Sequence, residues 1–230
     1  MGKKRLRIKT DCYKELRNEL ESTVKSKYQS LQLIVENDVL FLRGIFPLID
    51  FGSGEEIDSY EIEMEFPRNY PSDIPIVRET GGRIPRKIDR HIDEKTGNAC
   101  LGIREQLHNN ITHNASALSF IEGPIYEFFL GQSYYELTEK WIFGEWSHGA
   151  KGILEYYSKI LKTNDPKIIL TFVEYLSKNT VKGHWPCYCA NGKRLRNCHF
   201  KFLLLARNVI PSDIAKKSYY ELKSLFDLTK

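Results

Sequence analysis

The ten residues Ile57–Phe66, IDSYEIEMEF, alternate in chemistry with a period of two: Tyr60, Ile62, Met64 and Phe66 are apolar, while Ser59, Glu61, Glu63 and Glu65 are polar. That is the period of an extended strand, whose successive side chains point to opposite faces. A strand with one apolar and one acidic face belongs to a sheet covered on one side only, which favours antiparallel pairing. Two more strands are expected upstream, at LQLIVE (31–36) and VLFLRGIF (39–46), and the FGSGEE stretch (51–56) reads as a glycine-rich hairpin loop between neighbours. Downstream, Pro67, Pro71, Pro75 and Pro85 remove ladder donors and fix φ, so an irregular surface path is expected there. Irregular backbone carried on a rigid sheet is where sites tend to form.

The rest of the chain has the period of helices. Cys12, Leu16, Leu20 and Val24 are spaced by four and line one face of an N-terminal helix, where Cys12 reads as a core residue. From Ala117 to Leu161 an aromatic-rich segment predicts two helices closing over the sheet, broken at GEWSHGAKG (144–152). Asp165-Pro166 has the form of a helix start, the acid as cap and proline in the first turn. The order is that of an α+β fold: an N-terminal helix, an antiparallel meander sheet, C-terminal helices and a small tail module. The expected divisions are a first domain over 1–160, a helical connector over 161–182 and a tail module over 183–230. The 230 residues, 41% of them hydrophobic, suffice for one sizeable core plus such a module.

Neither a signal-peptide core nor a bilayer-length apolar run occurs, so a cytoplasmic protein without a membrane partner is expected. The net charge of +4 is unevenly spread: five Lys or Arg fall in the first nine residues, and Lys182–Lys217 holds eight against one acid. Charge alone does not separate nucleic acid, an acidic protein surface and bulk solvent as the counterpart of such a tail, and a nucleic-acid partner is not expected.

Five cysteines is an odd number, and three crowd into PCYCANGKRLRNCHF, which suits metal or thiol chemistry better than a disulfide framework. Cys187, Cys189, Cys198 and His199 supply three sulfurs and an imidazole for tetrahedral zinc, with Gly192 reversing the chain and the last two ligands entering from a helix start. Four protein ligands leave no open position, so this zinc is structural, and in so small a module it would supply much of the folding energy. The spacing resembles the SEC-C motif found at the end of bacterial secretion ATPases. The module either buttresses the main domain or presents Lys193, Arg194, Arg196 and Lys201 to a partner.

The remaining cysteine of interest is Cys100, in GNACLG (97–102), just after a glycine-marked turn. The run EFPRNYPSDIP (65–75) resembles the proline signature of ubiquitin-conjugating enzymes, with Ile74 where the first of the paired prolines usually stands, and Arg83-Ile84, His91, Gly97, Cys100 and Leu101 follow in that family's order. The resemblance covers residues 10 to 160, and GEWSHGAKG looks like bacterial members of the superfamily. It implies that Cys100 carries a ubiquitin-like protein as a thioester and passes it to an amine, a chemistry that suits the nucleophilic thiol. The implied partners are a ubiquitin-like protein, an activating (adenylating) enzyme and an acceptor protein with an exposed lysine. By analogy with bacterial relatives the setting is antiphage defence, with a nucleotide-cyclase sensor as one candidate acceptor.

The pattern also departs from the family's. The Pro and Asn that usually follow the histidine are replaced by Ile92 and Asp93, and an ionised aspartate cannot donate to an oxyanion. Asn98, two residues before Cys100, keeps an amide that could take that role, and backbone N–H groups of the turn are the other source. Asp93 is a candidate base for the attacking amine. His91 is either catalytic or a histidine bonding the loop backbone, and His113 and His148 read as solvated loop residues. The rival reading is a non-catalytic adaptor of the same fold, binding protein or nucleic acid through its cleft and basic tail.

Overall fold

The computed structural model describes residues 2–113, 116–142, 147 and 149–228, and the side chains of these apart from residues 2–12, 112, 113 and 228. The side chains of Cys12 and His113, and the whole of His148, lie outside the described residues. The chain forms two compact units, one of residues 1–101 with 110–144 and one of residues 102–109 with 145–230.

The first unit holds helix α1 (Gly2–Ser26) and strands β1 (Leu31–Glu36), β2 (Val39–Ile49), β3 (Glu56–Phe66) and β4 (Ile76–Glu79), joined in the order β1-β2-β3-β4 as an antiparallel meander. The alternation in β3 is realised: Tyr60, Ile62, Met64 and Phe66 are all buried, together with Leu40, Leu42, Phe46 and Leu48 of β2. Leu16 and Leu20 of α1 are buried too, as the spacing of four requires. The expected glycine-rich connection between β2 and β3 is closed by Asp50 N–H to Glu55 O at 2.8 Å, with Asp50 Oδ1 accepting from the N–H groups of Gly52 and Ser53.

The proline-rich stretch is less irregular than expected. Ile76–Glu79 contains no proline, keeps its ladder donors and pairs with Ile62–Glu65 as a fourth strand, with Val77 buried. On the opposite, wet face the acids of β3 meet arginines in register. Arg43 stands across from Glu63, and Glu63 across from Arg78.

After the sheet, helices α3 (Ala117–Phe120) and α4 (Tyr126–Thr138) are joined by a π-helical turn at Ile121–Ile125 that contains Pro124. Proline offers no N–H to the helical ladder, and a widened turn accommodates that loss without ending the helix. Phe129 of α4 packs with Phe46 and Tyr60, so this helical stretch covers the sheet as expected.

The second of the two expected closing helices does not share that role. Helix α5 (Ala150–Leu161) belongs to the second unit with α6 (Pro166–Ser177), α7 (Phe200–Val209), α8 (Ser212–Leu228) and the first residues of α2 (Arg104–His113). The reason is packing: Ile153, Tyr156 and Tyr157 of α5 join Ile169, Phe172, Val173 and Leu176 of α6 in one core that also takes in Cys187, Tyr188, Leu195, Leu203 and Leu222. The divisions expected after residues 160 and 182 therefore both fall inside one hydrophobic core. Asp165 caps α6 as anticipated, its Oδ1 accepting from Lys167 N–H at 2.8 Å, with Pro166 in the first turn. Buried Glu105 of α2 is held by the hydroxyls of Tyr157 and Ser218. Among the described residues no helix is long and apolar enough to cross a membrane.

Candidate functional site

Cys100 ends a hairpin that the sequence builds from its own turn chemistry. Asp93 N–H donates to Asn98 O at 2.9 Å, Gly97 N–H to Asp93 O at 2.8 Å, and Cys100 N–H to His91 O at 2.8 Å. Asp93 Oδ1 accepts from Thr96 Oγ1 and Thr96 N–H, each at 2.7 Å, and from Lys95 N–H at 3.1 Å. The Thr96 hydroxyl, then the turn N–H groups, hold the Asp93 carboxyl below its ordinary range. Its carboxylate thus organises the turn, which is poor preparation for acting as a base. Gly97 has φ +70°, a left-handed backbone that glycine adopts without strain.

The returning arm is tied to the sheet. Ala99 N–H donates to Val77 O at 2.8 Å, and Asn98 bridges Arg78 in antiparallel fashion, so the arm extends the sheet beyond β4. The Arg78 side chain repeats the link, with Nε 2.9 Å from Asn98 Oδ1. Since a guanidinium only donates, this contact fixes the amide with its oxygen toward Arg78 and its NH2 as the end left to donate. Asn98 precedes Cys100 by two residues, the spacing at which side chains of an extended chain point the same way, and Cys100 is exposed. His91 contributes its carbonyl to the hairpin from a left-handed backbone of φ 52°, and its ring stands edge-on to Trp141 with centroids 4.5 Å apart. The preceding loop is pinned by Arg83, which pairs with Asp58 and Glu136 and lies 4.3 Å above the Tyr60 ring, and by Arg90, whose Nε donates to Gln132 Oε1.

In the second unit the four tail residues converge. Cys187, Cys189, Cys198 and His199 bring ligand atoms within 4.8 Å of one another, a group that could hold a metal ion. Cys187 Sγ lies 3.2 Å from His199 Nδ1 and 3.5 Å from Cys189 Sγ. Cys198 Sγ lies 3.2 Å from the same nitrogen and 3.7 Å from Cys189 Sγ. Local backbone explains the convergence. Cys187 N–H donates to Lys193 O and Leu195 N–H to Trp185 O, closing a small loop that turns through Ala190 and Gly192, both at positive φ. A short 3-10 turn (Leu195–Asn197) then delivers Cys198 and His199 at the start of α7. Asn191 Nδ2 donates to Cys198 Sγ at 3.1 Å while its Oδ1 accepts from Lys193 N–H. Slight burial opposes it, but this amide and the neighbouring sulfurs bring the Cys198 thiol below its ordinary value, whereas burial pushes Cys187 up to about 11. A thiol so raised stays protonated at neutral pH unless a cation takes the proton's place.

Arg78 and Asn191 were not singled out in the sequence. Arg78 sits in a stretch where prolines suggested no strand, so its cross-strand neighbours were invisible. Asn191 lies between ligands, and its position there was the one available signal. No family model, no curated protein and no solved structure matches this chain.

Proposed function

We propose that the first unit is a ubiquitin-conjugating-like transferase in which Cys100 carries a ubiquitin-like protein as a thioester. The observation that carries the reading is an exposed cysteine closing a hairpin whose Asn98 amide, two residues away, has its oxygen engaged and its NH2 left to donate. In loading, the Cys100 sulfur attacks the thioester on an activating enzyme. A new C–S bond forms, the old one breaks, and the departing sulfur takes up the equivalent of the proton that Cys100 loses. In discharge, an acceptor lysine attacks the carbonyl, the C–N bond forms, the C–S bond breaks, and the amine's proton passes to solvent as the thiolate leaves. Charge develops on the carbonyl oxygen in the tetrahedral intermediate, where a preset N–H donor stabilises it.

For the second unit we propose structural zinc on Cys187, Cys189, Cys198 and His199. A tetrahedron with Zn–S bonds of about 2.3 Å and a Zn–N bond of about 2.0 Å has S–S edges near ~3.8 Å and S–N edges near ~3.5 Å. Four of the six separations, at 3.2 to 3.7 Å, come within a few tenths of these, and all four ligand atoms lie within 4.8 Å of one another. When bound, the ion would cross-link the loop to the start of α7.

The test is to incubate the protein with its activating enzyme, ATP and the cognate ubiquitin-like protein. The parent should form an adduct removed by reducing agent, and Cys100→Ser should either trap a reducer-resistant oxyester or load slowly. A reducible adduct that persists in Cys100→Ser would place the thioester elsewhere. No adduct on the parent would leave the adaptor reading.

A further inference from the structure

The face of the sheet turned away from its core carries a continuous chain of charge. Arg43 forks onto both oxygens of Glu36, its Nε donates to Glu63 at 2.7 Å, and Glu63 in turn accepts from Arg78 Nη1 at 2.7 Å. Glu65 adds a second acceptor to the same Arg78 nitrogen at 3.2 Å. The chain ends where Arg78 Nε meets Asn98 Oδ1. Burial would raise the Glu63 carboxyl, but the two arginines outweigh it and hold it low. We propose that Arg78 is a positioning residue: held by Glu63 and Glu65, it fixes the Asn98 amide so that the NH2 rather than the oxygen is available at the Cys100 thioester. This rests on the transferase reading above.

The physical argument is one of orientation. The two ends of an amide are close in size and opposite in polarity, and an unrestrained Asn on a hairpin arm can present either. An oxygen turned toward a developing oxyanion would repel it, while a donor stabilises it. A donor-only guanidinium on the oxygen excludes the wrong orientation, and its planar fork is itself held in place by two carboxylates and by the backbone bridge between residues 78 and 98. Lysine at position 78 would keep the charge beside Glu63 and Glu65 but lose the fixed Nε–H that meets Asn98.

The experiment loads Cys100 with a ubiquitin-like protein and follows discharge to free lysine in the parent, Arg78→Lys, Asn98→Ala and the double variant, with melting temperature as a check on folding. Arg78→Lys should slow discharge about tenfold and slow loading much less, since misplacement of a reacting group is felt where charge develops. The double variant should be no slower than Asn98→Ala alone, because both changes remove one device. Should Arg78→Lys not fold, Arg78→Gln takes its place with the same forecast. Unchanged discharge, or losses that multiply in the double variant, would overturn the positioning role while leaving the transferase standing. Failure of the parent to load at all would overturn the transferase reading, and this inference with it.

Discussion

The two cysteine-bearing loops of this protein are built alike and place their sulfurs in opposite settings, one exposed and one clustered. Both are short reversals closed by backbone hydrogen bonds and a positive-φ glycine, Gly97 in one and Gly192 in the other. In the hairpin the sulfur of Cys100 is exposed, the Asp93 carboxylate is spent on its own turn, and Asn98 has its oxygen engaged by Arg78 of β4. In the tail three sulfurs and an imidazole face each other, and Asn191 donates to one of the sulfurs. On the proposed reading a sulfur is made a ligand by company and a nucleophile by access, and the turn that presents it does not decide which.

The comparison predicts its largest effect on the metal side. Chelation, or Cys189→Ser, should strip the ion and loosen the second unit as a whole, because Cys187, Tyr188 and Leu195 share one core with α5 and α6. Metal binding in small zinc peptides is worth on the order of 10 to 16 kcal/mol, and a sizeable core should soften but not remove the loss here. Hydrogen exchange should rise across 150–228 and stay near its parent level in the sheet. One zinc per chain by elemental analysis is expected, and metal-free protein with an unchanged tail would break the comparison.

Next in size is the donor. Asn98→Ala should slow transfer from Cys100 to lysine about a hundredfold, the usual loss for one such donor, and slow loading far less. Asp93→Asn should be mild by the same assay, since its carboxylate serves the turn. A hundredfold loss in Asp93→Asn with none in Asn98→Ala would exchange their roles.

Metal affinity should depend on pH in a definite direction. With Cys187 raised to about 11 as a free thiol, binding must release its proton, so apparent affinity should fall as pH is lowered from about 8 to about 6. Competition with a chromophoric chelator reads this directly.

The smallest effect belongs to the charge ladder. Glu63 has its carboxyl lowered in the folded state, so its contribution is fully present above its ordinary value of 4.5 and is lost as pH falls through the folded value. Melting temperature should therefore hold from neutrality down to about 5 and decline below, and Glu63→Gln should flatten that decline.

How much of this could be read in advance follows from the range of each signal. The sheet was legible because alternation is local: Tyr60 to Phe66 declare their faces residue by residue. The tail cluster was legible because its ligands lie within thirteen residues and spacing alone restricts them. What escaped is non-local. Nothing in IVRE reveals that Arg78 will stand across from Glu63 and beside Asn98, since register is set by pairing partners. The helical period before Leu161 predicts a helix there, as is found at Ala150–Leu161, but its apolar face does not say which core it joins. Tyr156 and Tyr157 would suit either.

The central claim is that Cys100 alone among the described cysteines is a transferable acyl carrier. It is tested most directly by exposing the metal-loaded protein to a peptide thioester ending in Gly-Gly and mapping the acyl group by mass spectrometry before and after adding free lysine. The account predicts acylation at Cys100, reversed by added thiol and lost to lysine as the amide forms, with Cys187, Cys189 and Cys198 unmodified while metal is bound. Acyl groups on the tail cysteines with none on Cys100, or an acylated Cys100 that never passes its cargo to lysine, would contradict it.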